Sequence, residues 1–176
     1  MIYTLTGFMG SGKSTVGRLL AADGEDSRFI DLDEHIALLT GRSIPELFAR
    51  GGESAFRDAE TEALMDAVTC YEGGTLILAL GGGTLCRERN REIVRATSHC
   101  IYLQGSTAIL AAHLDGAAAS RPLLQGEGSL EEKIGRLLEG RIPVYRAAAD
   151  YTVDIDGKTP AQIADEIRHL VFLRDY

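Results

Sequence analysis

Eight consecutive residues near the amino terminus, Gly7-Phe8-Met9-Gly10-Ser11-Gly12-Lys13-Ser14, fit the pattern G-x-x-x-x-G-K-[ST] at every fixed position. Glycines let successive backbone N–H groups curl around an anionic oxygen, and a helix start behind them adds the positive end of its dipole. Gly10, Ser11, Gly12 and Thr15 would belong to this cradle. Lys13 can reach the β- and γ-phosphates, and the Ser14 hydroxyl can ligate Mg²⁺. A chance glycine-rich turn would not explain the flanks: residues 2–6 read as a strand, and Val16, Leu19 and Leu20 follow helical spacing. A nucleoside triphosphate is the expected ligand, and the acceptor of its phosphate is the open question.

Two carboxylates follow in Asp31-Leu32-Asp33, just after a second strand at Arg28-Phe29-Ile30. In extended backbone, residues i and i+2 project to the same side, so both can face the phosphate loop. One would hold Mg²⁺ or its waters, and the other would accept a hydrogen bond from an acceptor hydroxyl. The bland alternative is that the pair caps the next helix. Arg57 opens a helix after Gly51-Gly52 and could present a planar fork to a carboxylate, although an isolated helical arginine is usually a solvated one. Phe48 and Phe56 read as core rather than pocket wall. Gly81-Gly82-Gly83 directly follows an apolar strand, where three glycines imply close approach of a ligand or unusual dihedrals. Arg121 lies in a small-residue loop from which it could swing onto a transferring phosphoryl group, and Arg141 precedes Ile142-Pro143 at an expected helix kink or break.

The elements that must position these groups alternate between short apolar runs and helical patterns. Further strands are expected at Thr75–Leu80, Cys100–Leu103 and Tyr151–Val153. Capping boxes mark helix starts at Ser43, Ser129 and Thr159. This is the signature of an α/β fold with a parallel sheet and helices on both faces. A length of 176 residues fits one domain. The formal charge of −8, with no basic stripe to offset it, argues against a nucleic-acid partner. No apolar run is long enough for a membrane span. Cys70, Cys86 and Cys100 lack C-x-x-C spacing and are expected to be buried thiols in a reducing cytoplasm. The small-residue and polar stretch from Asp115 to Gly128 reads as a lid that excludes water from the reaction.

In order and spacing, GFMGSGKST at Gly7–Thr15, FIDLD at Phe29–Asp33, GRSIPELF at Gly41–Phe48, GESAFR at Gly52–Arg57, GGG at Gly81–Gly83, RPLL at Arg121–Leu124 and RIPVYR at Arg141–Arg146 resemble the shikimate kinase family. The resemblance implies a doubly wound five-stranded parallel sheet of the P-loop type, in the order 2-3-1-4-5. It implies transfer of the γ-phosphoryl group of ATP to the 3-hydroxyl of shikimate, on the route to chorismate and the aromatic amino acids. By matching position, Asp33 would meet the reacting hydroxyl, Arg57 and Arg141 would hold the substrate carboxylate, and the Gly82 backbone would touch shikimate. The substrate-binding segment would run over about 33–60, Arg121 would reach the phosphates from a closing lid near 111–127, and Ser14 and Asp31 would serve the Mg²⁺ site, Asp31 through water. Asp156-Gly157-Lys158-Thr159-Pro160 would lie against adenine. A monomer is expected.

The chain departs from the family pattern before the lid, where Ala111-Ala112-His113-Leu114-Asp115 holds no arginine. Lys158 is a candidate substitute near the nucleotide. Competing readings are a gluconate-type kinase, a nucleoside monophosphate kinase and a regulatory module that binds nucleotide without catalysis. The separate arginines at 57 and 141 argue against the first, and intact Lys13, Ser14, Asp33 and Arg121 argue against the last.

Overall fold

The computed structural model describes residues 1–22, 24–117 and 122–172. The apolar runs form β1 (Ile2–Thr6), β2 (Ser27–Asp31), β3 (Thr75–Ala79), β4 (His99–Gln104) and β5 (Tyr151–Asp154). All neighbours are parallel and the order is β2-β3-β1-β4-β5, as expected. β1 is central: Thr4 lies opposite Leu78 on one side and Cys100 on the other. The chain leaves β1 toward one edge and later returns to fill the other, so the crevice of such a sheet opens beyond the carboxyl end of β1.

Alternation along the strands divides the core between the two faces. Leu76, Leu78 and Leu80 pack with Leu32, Ile36, Phe56 and Leu64 from α2 (Leu32–Thr40) and α3 (Ile44–Thr69). Ile77, Leu5 and Leu103 face the opposite way. There they meet Val16 of α1 (Lys13–Ala21), Leu110 of α5 (Thr107–Leu114), Ile134 and Tyr145 of α6 (Leu130–Ala148) and Ile163 of α7 (Pro160–Ile167). Val94 of α4 (Glu88–Thr97) joins the first group. All three capping boxes are formed. α3 is interrupted at Gly52, whose φ of 70° and ψ of −168° leave the helical region, so the stretch carrying Arg57 starts afresh there.

Two expectations are corrected and one is narrowed. Of the kink or break expected at Pro143, the break does not occur, since α6 runs through it to Ala148. Proline removes one helical hydrogen bond, but Arg141 and Tyr145 on either side both bond to the Gly82 carbonyl and tether both flanks to one point. Cys70 and Cys86 are exposed, leaving Cys100 as the buried thiol. Leu19 is 36% exposed, since only Val16, Gly17 and Leu20 of its helix reach the core.

Candidate active site

The residues after the carboxyl end of β1 wrap into the phosphate loop. Gly12, with φ 85°, caps α1 from the left-handed region, which a side chain would disfavour. The Lys13 ammonium donates to the carbonyls of Gly7 at 2.9 Å and Phe8 at 3.0 Å, folded back across its own loop. Gly10, Gly12, Lys13, Ser14 and Thr15 line a cavity of about 400 Å³. Ser11 is turned inward at 1% exposure, and its N–H donates to Phe8, so its hydroxyl faces the core and not that cavity. His113, in the segment without an arginine, brings Nδ1 to 2.7 Å from the Gly10 carbonyl. Lys158 is paired with Glu166. Arg121, with residues 118–120 of the expected lid, lies outside the described residues.

Asp31 caps the next helix and also reaches the phosphate loop. Its Oδ1 caps α2 by accepting the N–H groups of Asp33 at 3.0 Å and Glu34 at 3.4 Å, while Oδ2 accepts the Ser14 hydroxyl. Strand alternation does not pair the two aspartates, because β2 ends at Asp31 and Asp33 already lies in the first turn of α2. The cap geometry brings Asp33 to the same cleft, and both residues line the loop cavity. Ser14 and Asp31 form a hard oxygen donor set suited to Mg²⁺.

Across Asp33 lies a second cavity, of about 330 Å³, lined by Arg57, Glu60, Gly81, Gly82, Gly83 and Arg141. Arg57 Nη1 donates to Glu60 Oε2 at 2.8 Å, and its Cζ lies 5.1 Å from the centroid of the Phe56 ring. Burial works against the Arg57 charge, but the Glu60 and Glu53 carboxylates more than offset it and raise its pKa. Arg141, 8% exposed, donates to the Gly82 carbonyl at 3.3 Å and sits 5.5 Å from the centroid of the Phe8 ring. Tyr145 donates to the same carbonyl, and burial pushes its hydroxyl well above the ordinary tyrosine range. Among the described residues no carboxylate pairs with Arg141, so its charge is left for an anion. Phe48 and Phe56 stack with centroids 4.8 Å apart and line this cavity, which makes them pocket wall as well as core.

The two cavities share Met9, Asp33, Gly81 and Gly82. One can hold phosphates, the other an anion with hydroxyl groups, and a single carboxylate stands between them. Sequence reasoning gave no role to Glu60, which is fully buried, or to Tyr145. The spacing Arg57-x-x-Glu60, one helical turn, was the available signal for the first.

Known proteins resemble this chain over most of its length. A family model described as shikimate kinase matches residues 9–171. The chain is 38% identical to the shikimate kinase of Dictyoglomus turgidum over 93% of both chains. It is 42% identical to that of Moorella thermoacetica, over 93% of this chain and 90% of the relative. The solved shikimate kinase from Acinetobacter baumannii, in complex with shikimate, superposes with a TM-score of 0.89 at 34% identity, covering 98% of this chain and 93% of that one. The chain belongs to the shikimate kinase family.

Proposed function

We infer that the chain transfers the γ-phosphoryl group of ATP to the 3-hydroxyl of shikimate, giving shikimate 3-phosphate and ADP. The observation that carries this reading is the pair of adjoining cavities with Asp33 between them. Phosphoryl transfer passes through a loose transition state, so alignment and charge neutralisation matter more than a strong base. Arg57 and Arg141 take the shikimate carboxylate, which turns the ring so that its 3-hydroxyl meets Asp33. Gly82 allows the ring to approach backbone. Lys13 moves from its loop carbonyls to the β- and γ-phosphates, while Gly10, Ser11, Gly12 and Thr15 contribute backbone or side chain to the cradle. Ser14 and, through water, Asp31 would hold Mg²⁺, which supplies charge neutralisation on the phosphates. Arg121 and the lid are assigned to the same phosphates, and Lys158 to the adenine side.

The chain is assigned as one catalytic domain acting as a monomer. Free cysteines, two of them exposed, support a reducing cytoplasmic setting. A coupled ADP-release assay with shikimate, gluconate and nucleoside monophosphates tests the reading. Turnover is expected with shikimate; turnover with another acceptor and none with shikimate overturns it.

A further inference from the structure

Glu60 is fully buried, and each of its carboxylate oxygens receives one donor. Oε2 takes Nη1 of Arg57 at 2.8 Å, and Oε1 takes the hydroxyl of Thr84 at 2.7 Å. Arg57 Nε faces Glu53 Oε1 at 3.6 Å, so Nη2 is the nitrogen that neither carboxylate takes. We propose that Thr84 is a positioning residue for the acceptor: by occupying Oε1, it restricts Glu60 to Nη1 of Arg57 and leaves Nη2 for the shikimate carboxylate.

The donor direction follows from chemistry. A carboxylate against a guanidinium only accepts, so the Thr84 hydroxyl must donate. Thr84 is itself immobilised. It is fully buried, its N–H donates to the Gly81 carbonyl at 3.2 Å, and its carbonyl accepts Asn90 Nδ2 at 2.9 Å. Asn90, also fully buried, is oriented by the Thr61 hydroxyl, 2.8 Å from Oδ1. Arg87 closes the far end by donating to Thr61 Oγ1 at 3.1 Å and to the Arg57 carbonyl at 3.0 Å. A buried polar chain therefore runs from α4 to the acceptor cavity and ends on Arg57.

Removing the Thr84 hydroxyl would leave Oε1 buried without a donor, which a protein interior tolerates poorly. A bidentate grip on Arg57 would supply one, since Oε2 already holds Nη1. A fork gripped on both nitrogens by Glu60 offers less to a substrate carboxylate, so shikimate binding weakens while the nucleotide half is untouched.

This inference rests on the shikimate reading, and the test separates the two. Thr84→Val keeps the shape and deletes the hydroxyl; Thr84→Ser keeps the hydroxyl. Shikimate KM is expected to rise roughly tenfold in the Val variant, the scale of one charge-assisted hydrogen bond. ATP KM and kcat stay within about twofold, and the Ser variant returns shikimate KM close to that of the parent chain. Should the Val variant fail to fold, Thr84→Ala serves in its place. Equal shikimate KM values in the Val, Ala and Ser variants, or ATP and shikimate KM rising together, would overturn the role of Thr84. Absence of shikimate-dependent ADP release in the parent chain would instead overturn the function itself.

Discussion

A Cβ atom on Gly83 would lie 2.5 Å from Nη2 of Arg57, so the guanidinium rests directly on the glycine backbone. Gly83 has φ −109°, a value open to any residue, and its lack of a side chain serves the contact rather than the backbone. Gly83→Ala should therefore fold normally and displace Arg57. Shikimate KM is expected to rise severalfold with ADP affinity unchanged, as read by steady-state kinetics and calorimetry; an unchanged KM would detach Gly83 from the site.

Asp33 borders both cavities, where a reacting hydroxyl would meet the phosphoryl group. Asp33→Asn retains the shape and loses the charge. Turnover is expected to fall by about 10²–10⁴, the range for a positioned acid or base, while ATP affinity changes little. A collapse of ATP affinity with turnover preserved would move Asp33 to the nucleotide.

Arg57→Lys keeps a cation for Glu60 but replaces the fork with a point charge. Shikimate KM should increase by about one to two orders of magnitude, consistent with loss of charge-assisted hydrogen bonds. The check is a KM comparison at saturating ATP.

The thiols should separate into two classes. Burial pushes Cys100 up to about 12, whereas Cys70 and Cys86 are exposed. A thiol-reactive dye should label two cysteines in the folded protein and the third only on unfolding. Rapid labelling of all three in native buffer would contradict the packing of β4.

Asp66 on α3 bonds His35 on α2 at 2.7 Å, and that bond, with the Cys70 thiol, holds its carboxyl below the ordinary 3.8. A depressed folded value means that the stabilisation is complete above the unfolded value and vanishes as pH falls through the folded one. The melting temperature should thus decline on the acid side below about pH 4, and Asp66→Asn should make that decline shallower. Parallel acid limbs for the two proteins would remove the linkage.

The sheet was legible because each strand is a short apolar run and three helix starts carry their capping boxes in sequence. The phosphate loop was legible because its glycines and Lys13 are contiguous. Less local features were harder to read. The distance between Asp31 and Asp33 depends on where β2 stops, and a strand end is set by pairing with β3 rather than by the residues themselves. Pro143 signals a break locally, yet contacts to Gly82, more than 50 residues away, keep its helix whole. Glu60 is an ordinary helical glutamate until Thr84 and Arg57 arrive from elsewhere in the chain. Phe48 and Phe56 show how one aromatic pair can close a core and line a cavity, a distinction that composition does not carry.

The partition between the two cavities is thin, built from Met9, Asp33 and the backbone of Gly81 and Gly82. All four residues face both cavities, so this wall cannot be reshaped for one ligand without disturbing the other. The outer rim of the second cavity is different: Ile44, Pro45, Phe48 and Leu123 are all replaceable in size and polarity. Divergence toward a different hydroxy-acid would therefore accumulate along that rim, at the start of α3 and at Leu123, while the triphosphate half stayed constant. In this architecture the choice of acceptor can evolve and the choice of donor is inherited.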